Sequence, residues 1–300
     1  MTFVIDADLE IGAPLRCGPM SLFPLLQSAG PAPRSYICGP ESAGQVDIVD
    51  RGLVSELKAH NGGDRPVLLI EGETLLGAKQ DRVLNVSVLL AAGQATAVPV
   101  SCVEAGRWGS VQPSQLSARH APPRLRARKT RSVIESSRHH GGHESDQGAV
   151  WDEVAAYDGA VGALSPTSAL RDVQAAAAGQ VESLAPTAGP TPRQVGVIVA
   201  TADRPTVLEL FDDPLTFEAY WQSLIEGYAL DATLAGGEDT TTPEAAASFL
   251  DAARRAPFET RPGLSLGDDA QAETPDLAAT GISWGGQLLH LVCFATAAGG

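Results

Sequence analysis

The run Val67-Leu68-Leu69-Ile70 passes directly into Glu71-Gly72-Glu73, and no other feature restricts the fold of this chain more. A short, uninterrupted aliphatic run bounded by turn residues is a buried strand, so the acids that follow it enter the protein interior with it. Charged groups beside a buried strand are costly to desolvate unless they pair or bind something. The polar stretch continues through Gly77-Ala78-Lys79-Gln80-Asp81-Arg82 to Asn85 and Ser87. A salt-bridge network or a ligand site is therefore implied.

Around this stretch the pattern is that of strands. Leu84, Val86, Val88 and Leu90 alternate, and Val98 to Glu104 follows a turn at Gly93, which makes the N-terminal half β-rich with mainly antiparallel pairing. Upstream, Gly and Pro are frequent and only Leu22 to Leu26 and Tyr36 to Cys38 read as brief extended runs. Residues 1–45 are accordingly expected to be an irregular segment, with a single domain over 46–300. Between Ser117 and Ser145 the pattern dissolves into Pro, Arg and His, and Arg119 to Arg138 carries seven of the 21 basic residues. A mobile basic loop over 117–148 is expected there, either a lid over phosphate or a solvated linker.

The second half is punctuated for helices. Ser165-Pro166 can open one that Gly179 closes. From Asp213-Pro214, residues Phe217, Tyr220, Trp221, Leu224, Ile225 and Tyr228 recur at helical spacing until Gly236. A third runs from Thr242-Pro243-Glu244 to Arg254-Arg255, with acid early and base late as the helix dipole prefers. Two hairpins accompany them, Val195 to Ala200 with Thr206 to Phe211 and Ile282 to Trp284 with Leu288 to Phe294. The fold class is α+β: a β-rich N-terminal half packed with a C-terminal half of two hairpins and three helices.

Composition narrows the partners. With 36 acidic and 21 basic residues the net charge is −15, which opposes diffuse adhesion to nucleic acid or to anionic membranes, so an anionic ligand needs a local basic pocket. No apolar run approaches the roughly 20 residues that span a bilayer, and Met1 to Glu10 lacks the pattern of a signal peptide. A cytoplasmic location is expected. The four cysteines are scattered, without a C-x-x-C pair, and are expected to be reduced thiols. No metal is expected at His139, His140 and His143, which have no acid at a ligating spacing.

The candidate site follows from these charges. Lys79 and Arg82 supply cations for phosphate or carboxylate, with Gln80 and Asn85 beside them, and Glu71 and Glu73 are candidate catalytic acids. The alternative is that Glu71 and Glu73 neutralise Lys79 and Arg82 around a tight turn. A second polar group comprises Ser101, Glu104, Arg107 and Trp108, in which Glu104 is a third candidate catalytic acid and Trp108 could stack on a base while Arg107 grips phosphate or orients Glu104. Cys102 alternates with Val98 and Val100 and is expected to pack inward. Glu209, an acid in an apolar strand, is a candidate partner for Arg82, and His290 reads as a core histidine. Walker, G-x-G-x-x-G, H-E-x-x-H and G-x-S-x-G motifs are all missing.

The run Glu71 to Arg82, together with Pro99-Val100-Ser101-Cys102-Val103-Glu104 and Arg107-Trp108, resembles a bacterial family, the ARG and rhodanese-phosphatase-superfamily-associated protein domain, in which ARG stands for ADP-ribosylglycohydrolase. The likeness extends through Trp151, Ser165, Thr167 and Leu208 to Phe211 as far as Trp221 and Tyr228. Asp81 departs from it, since Asn is expected before the Arg. The resemblance implies an association with NAD-derived nucleotides such as ADP-ribose, through binding or processing of a nucleotide-like anion. It identifies no cofactor and no protein partner. The competing reading is a non-catalytic scaffold or sensor whose charges form a structural ion-pair network.

Overall fold

Strand periodicity and helix punctuation both materialise in a computed structural model, which describes residues 3–6, 8–28, 30, 34–107 and 112–296. In chain order the strands of the first part are β1 (Glu10–Ile11), β2 (Leu15–Cys17), β3 (Met20–Leu26), β4 (Ile37–Cys38), β5 (Val46–Val49), β6 (Glu56–Asn61), β7 (Val67–Leu69), β8 (Glu73–Ala78), β9 (Arg82–Leu84), β10 (Val88–Leu90), β11 (Ala95–Cys102) and β12 (Gln112–His120). Four helices follow, α1 (Pro123–His140), α2 (Gln147–Val161), α3 (Leu170–Ala176) and α4 (Ala178–Leu184). The remainder is β13 (Gln194–Thr201), β14 (Arg204–Phe211), α5 (Pro214–Ala232), α6 (Pro243–Arg255), β15 (Glu259–Pro262), β16 (Asp268–Glu273), β17 (Leu277–Trp284) and β18 (Gln287–Ala295). The class is α+β with a β-rich N-terminal half and mostly antiparallel pairing.

The chain divides into two compact units. The first takes residues 1–34, 183–263 and 267–300. Its sheet runs β1-β3-β13-β14-β18-β17-β16-β15, with β2 also paired to β3. One face buries Phe23, Ile198, Leu208, Leu291 and Cys293 against Ala246, Phe249, Leu250 and Ala253 of α6. The other packs on α5, whose Phe217 ring lies 5.7 Å from that of Phe211. Both helices start where expected, because Asp213 and Thr242 cap the first free N–H groups and a proline fills the first helical position. Under α5 the carboxylate of Glu209, fully buried, accepts from Tyr228 Oη at 2.9 Å and meets His290 Nε2 at 2.9 Å. These are its partners, and the pairing with Arg82 expected from sequence is corrected.

The second unit takes residues 35–182 and 264–266. Six strands close a barrel in the order β11-β6-β5-β12-β8-β9, and β10-β7-β4 form a separate three-stranded sheet in which β4 is parallel to β7. Register shows which side chains point inward: Val98 faces Leu57, Ile48 faces Ala59, Val100 faces Leu84, and Leu75 faces Leu116. These aliphatic residues form one core.

Three local expectations are corrected. The alternation from Leu84 to Leu90 is not one strand, since the chain leaves β9 at Asn85 and starts β10 at Val88. The segment 117–148, expected to be a mobile loop, contains the end of β12 and the 18-residue helix α1, whose buried Leu125, Arg126, Lys129, Val133 and Ile134 form one face. The helix expected from Ser165-Pro166 starts later, at Leu170, because the Ser165 hydroxyl accepts the Ala169 N–H and donates to Asp172. Among the described residues no helix is long and apolar enough to cross a membrane.

Replacing Glu209 with Ala should strip two buried polar groups of their acceptor and cost about 3 kcal/mol. Urea denaturation measures this, and a loss under about 1 kcal/mol would show that the trio contributes little to the first unit.

Candidate functional site

Each charge of the polar stretch is placed by the strand that carries it. Glu71 lies just beyond β7 and is fully buried. Its carboxylate is held by two cations of α1: Arg126 Nε and Nη2, each 2.9 Å from Oε2, and Lys129 Nζ, 2.6 Å from Oε1. Lys129 also donates to the carbonyls of Leu84 at 2.8 Å and Asn85 at 3.1 Å, so α1 is pinned to the end of β9. Burial pushes the Lys129 ammonium below its usual range, and Glu71 opposes the shift. Gly72 makes room for this: at φ +90° a Cβ there would meet Arg126 Nε at 2.5 Å. Glu71 is thus committed to Arg126 and Lys129, which corrects its expected neutralisation of Lys79 or Arg82. Glu73 faces His120 across β8 and β12 and accepts the Ile70 N–H at 2.7 Å.

A second network surrounds Glu104. Arg107 Nε donates to both its oxygens, at 2.9 and 3.0 Å, while Arg107 Nη2 lies 3.2 Å from Asp81 Oδ1. Arg171, partly exposed, reaches Asp81 at 3.4 Å and Glu104 at 3.6 Å. The turn is shaped to fit: Gly77, at φ +100°, donates its N–H to Asp81 Oδ1 and offers its carbonyl to Arg107. Burial raises the Asp81 carboxyl above its ordinary value despite the Gly77 N–H and Arg171. Burial would also raise Glu104, but Arg107, the Asp81 N–H and Thr167 outweigh it and hold that carboxyl low. The two adjacent acids are thus shifted in opposite directions. Asp81, Arg171 and Thr167 were absent from the sequence-based site, and only the odd Asp before Arg82 hinted at the first.

Arg82 differs from every cation so far. It is 2% exposed and lies inward on β9, level with Cys102 on β11 and Leu75 on β8. Its Nη1 donates to Gln80 Oε1 at 3.2 Å, its Nε has no hydrogen bond, and among the described residues no carboxylate pairs with it. Gln80 in turn donates to the Glu104 carbonyl at 2.8 Å, which joins Arg82 to the second network.

The remaining expected residues separate. Lys79 is exposed, where a strand of ideal alternation would have put it with buried Asp81, because the chain turns at Ala78 with φ 51°. Ser101 and Asn85 bond each other at 2.6 Å, and further to Ser145 and to the His143 carbonyl at 2.9 Å. Trp108 lies outside the described residues. Cys102 is buried as expected, and burial raises its thiol while Arg82 acts in the opposite sense. Among the described residues no group of His, Cys, Asp or Glu could hold a metal ion.

The second unit is a small closed barrel with two buried ion networks, around Glu71 and around Glu104, and at its end Arg82, which among the described residues has no carboxylate partner. The chain belongs to the ARG and Rhodanese-Phosphatase-superfamily-associated Protein domain family, whose model matches residues 8–294. No curated protein and no solved structure matches it.

Two predictions follow the division of charges. Lys129→Met should cost about 3 kcal/mol by taking a buried donor from Glu71 and from the Leu84 and Asn85 carbonyls, whereas Lys79→Met at the surface should stay within about 0.5 kcal/mol, as chemical denaturation would report. Because the folded state holds the Asp81 proton more tightly than the unfolded chain, stability falls as pH rises from the ordinary Asp range through the raised value. Asp81→Asn should therefore be at least as stable as wild type at pH 7, with the difference shrinking in acid. A thermal melt series that shows Asn destabilising at pH 7 would contradict this.

Proposed function

We propose that the second unit binds a nucleotide-like anionic small molecule, with Arg82 as the counter-ion for its phosphate and the neighbouring acids available for processing it. The observation that carries this is the contrast between cations. Arg126 and Lys129 share the Glu71 carboxylate and Arg107 faces Glu104, while Arg82, 2% exposed, has only the Gln80 amide oxygen. A buried guanidinium without an anion costs several kcal/mol, and a ligand phosphate or carboxylate would offset it through the unused Nε–H. Exposed Lys79 supports a positive approach. Of the three candidate acids, Glu104 is the one whose backbone is tied to Arg82 through Gln80, and Glu71 serves its two cations. Membership of a family named for its association with ADP-ribosylglycohydrolase supports ADP-ribose or a related NAD derivative as the ligand.

The rival is a scaffold or sensor, favoured by how completely the Glu71 and Glu104 networks satisfy themselves. Calorimetric titration of wild type and Arg82→Gln with ADP-ribose, NAD and pyrophosphate separates the two. We expect wild type to bind and the variant to lose binding while gaining about 1 kcal/mol of stability from the removed charge. No binding by wild type at millimolar ligand, together with destabilisation by Arg82→Gln, would favour the scaffold.

A further inference from the structure

Arg82 lies at one end of the barrel, and the loop from Asp50 to Ser55 is fastened across that end. The Asp50 carboxylate ties it on one side, accepting the Gly52 N–H at 2.6 Å and the Lys79 N–H at 3.3 Å. On the other side the Ser55 carbonyl accepts the Val100 N–H at 3.0 Å, and the Val54 carbonyl lies 4.0 Å from Cys102 Sγ. Cys102 is the register partner of Arg82 on the inward face, so Arg82 and the loop are both neighbours of Cys102, whose thiol feels the charges of Arg82 and Asp50. Gly52 turns the chain at φ +87°, close beneath Lys79 Nζ.

The loop holds two aliphatic side chains out in water: Leu53 is 55% exposed and Val54 47% exposed. A single exposed aliphatic needs no explanation. Two consecutive ones on a segment fastened beside Cys102, with exposed Arg51 and Lys79 nearby, form an apolar surface beside a positive one. Their complement is a molecule with an anionic end and a flat organic end. A bare phosphate offers nothing to Leu53 and Val54, and an uncharged organic molecule offers nothing to Arg82.

We infer that the Asp50–Val54 loop is the specificity wall of this site, with Leu53 and Val54 contacting the base or sugar of an organic phosphate whose anionic group lies on Arg82. The inference rests on the Arg82 reading and adds the part of the ligand that Arg82 does not touch. It also makes Asp50 a latch, since its carboxylate joins the loop to the β8–β9 turn.

The test compares two probes on the full chain by calorimetry: ADP-ribose, which carries both chemistries, and inorganic pyrophosphate, which carries one. Leu53 and Val54 are exposed, so Leu53→Ser with Val54→Ser should leave the melting curve unchanged. Val54→Thr, nearly isosteric, provides a milder variant. The double variant should weaken ADP-ribose on the order of tenfold or more, with Val54→Thr intermediate, while pyrophosphate stays within about twofold. Arg82→Gln should weaken both. Unchanged ADP-ribose affinity in the double variant, or equal loss of both probes, would overturn the role of the loop and leave Arg82 standing. Failure of both probes to bind wild type would overturn the Arg82 reading and this inference with it.

Discussion

One carboxylate, that of Glu71, is shared by two cations in a place water does not reach, and much of the second unit is arranged around that fact. Arg126 and Lys129 belong to one face of α1, so their attachment to Glu71 seats the helix on the barrel. Lys129 then uses its remaining donors on the Leu84 and Asn85 carbonyls where β9 ends, satisfying backbone groups that a buried chain terminus would leave open. Gly72 is the backbone consequence, because any side chain at that point would occupy the volume of the Arg126 stem. A buried ion pair of this kind adds little net stability against an apolar substitute, yet removing one partner is expensive. It therefore specifies an arrangement more than it strengthens one.

The elements whose periodicity is local were readable in the chain. Val67 to Ile70, the two hairpins of the second half and the helices opened by Asp213-Pro214 and Thr242-Pro243 all depend on neighbours a few residues away. Helix α1 was not, since its buried face includes Arg126 and Lys129, and residues of that kind read as solvent-facing until Glu71, 55 residues from Arg126, supplies the reason for burying them. The same distance effect hid Arg171 and Thr167, which reach Glu104 from a segment that looked like an ordinary helix start. The polar stretch itself was correctly located as a concentration of charge, but its residues divide between two networks and a surface lysine. A strand of ideal alternation cannot describe a turn with positive φ at Gly77 and Ala78.

Arg82 marks where this economy of pairing stops. Proteins commonly tolerate an energetic cost at a binding site that they avoid elsewhere, and on the proposed reading the Arg82 guanidinium, with a buried Nε–H that has no partner, is such a cost. The adjacent acids divide the titration between them, one held neutral more readily and one held ionised.

The most direct measurement follows the Arg82 guanidinium itself, by its Nε–H resonance in the nitrogen-correlated proton spectrum during titration with ADP-ribose. The account predicts a saturable shift of that resonance, absent from Arg126, whose Nε–H already belongs to Glu71. An Arg82 signal that stays fixed while ligand binds would contradict it.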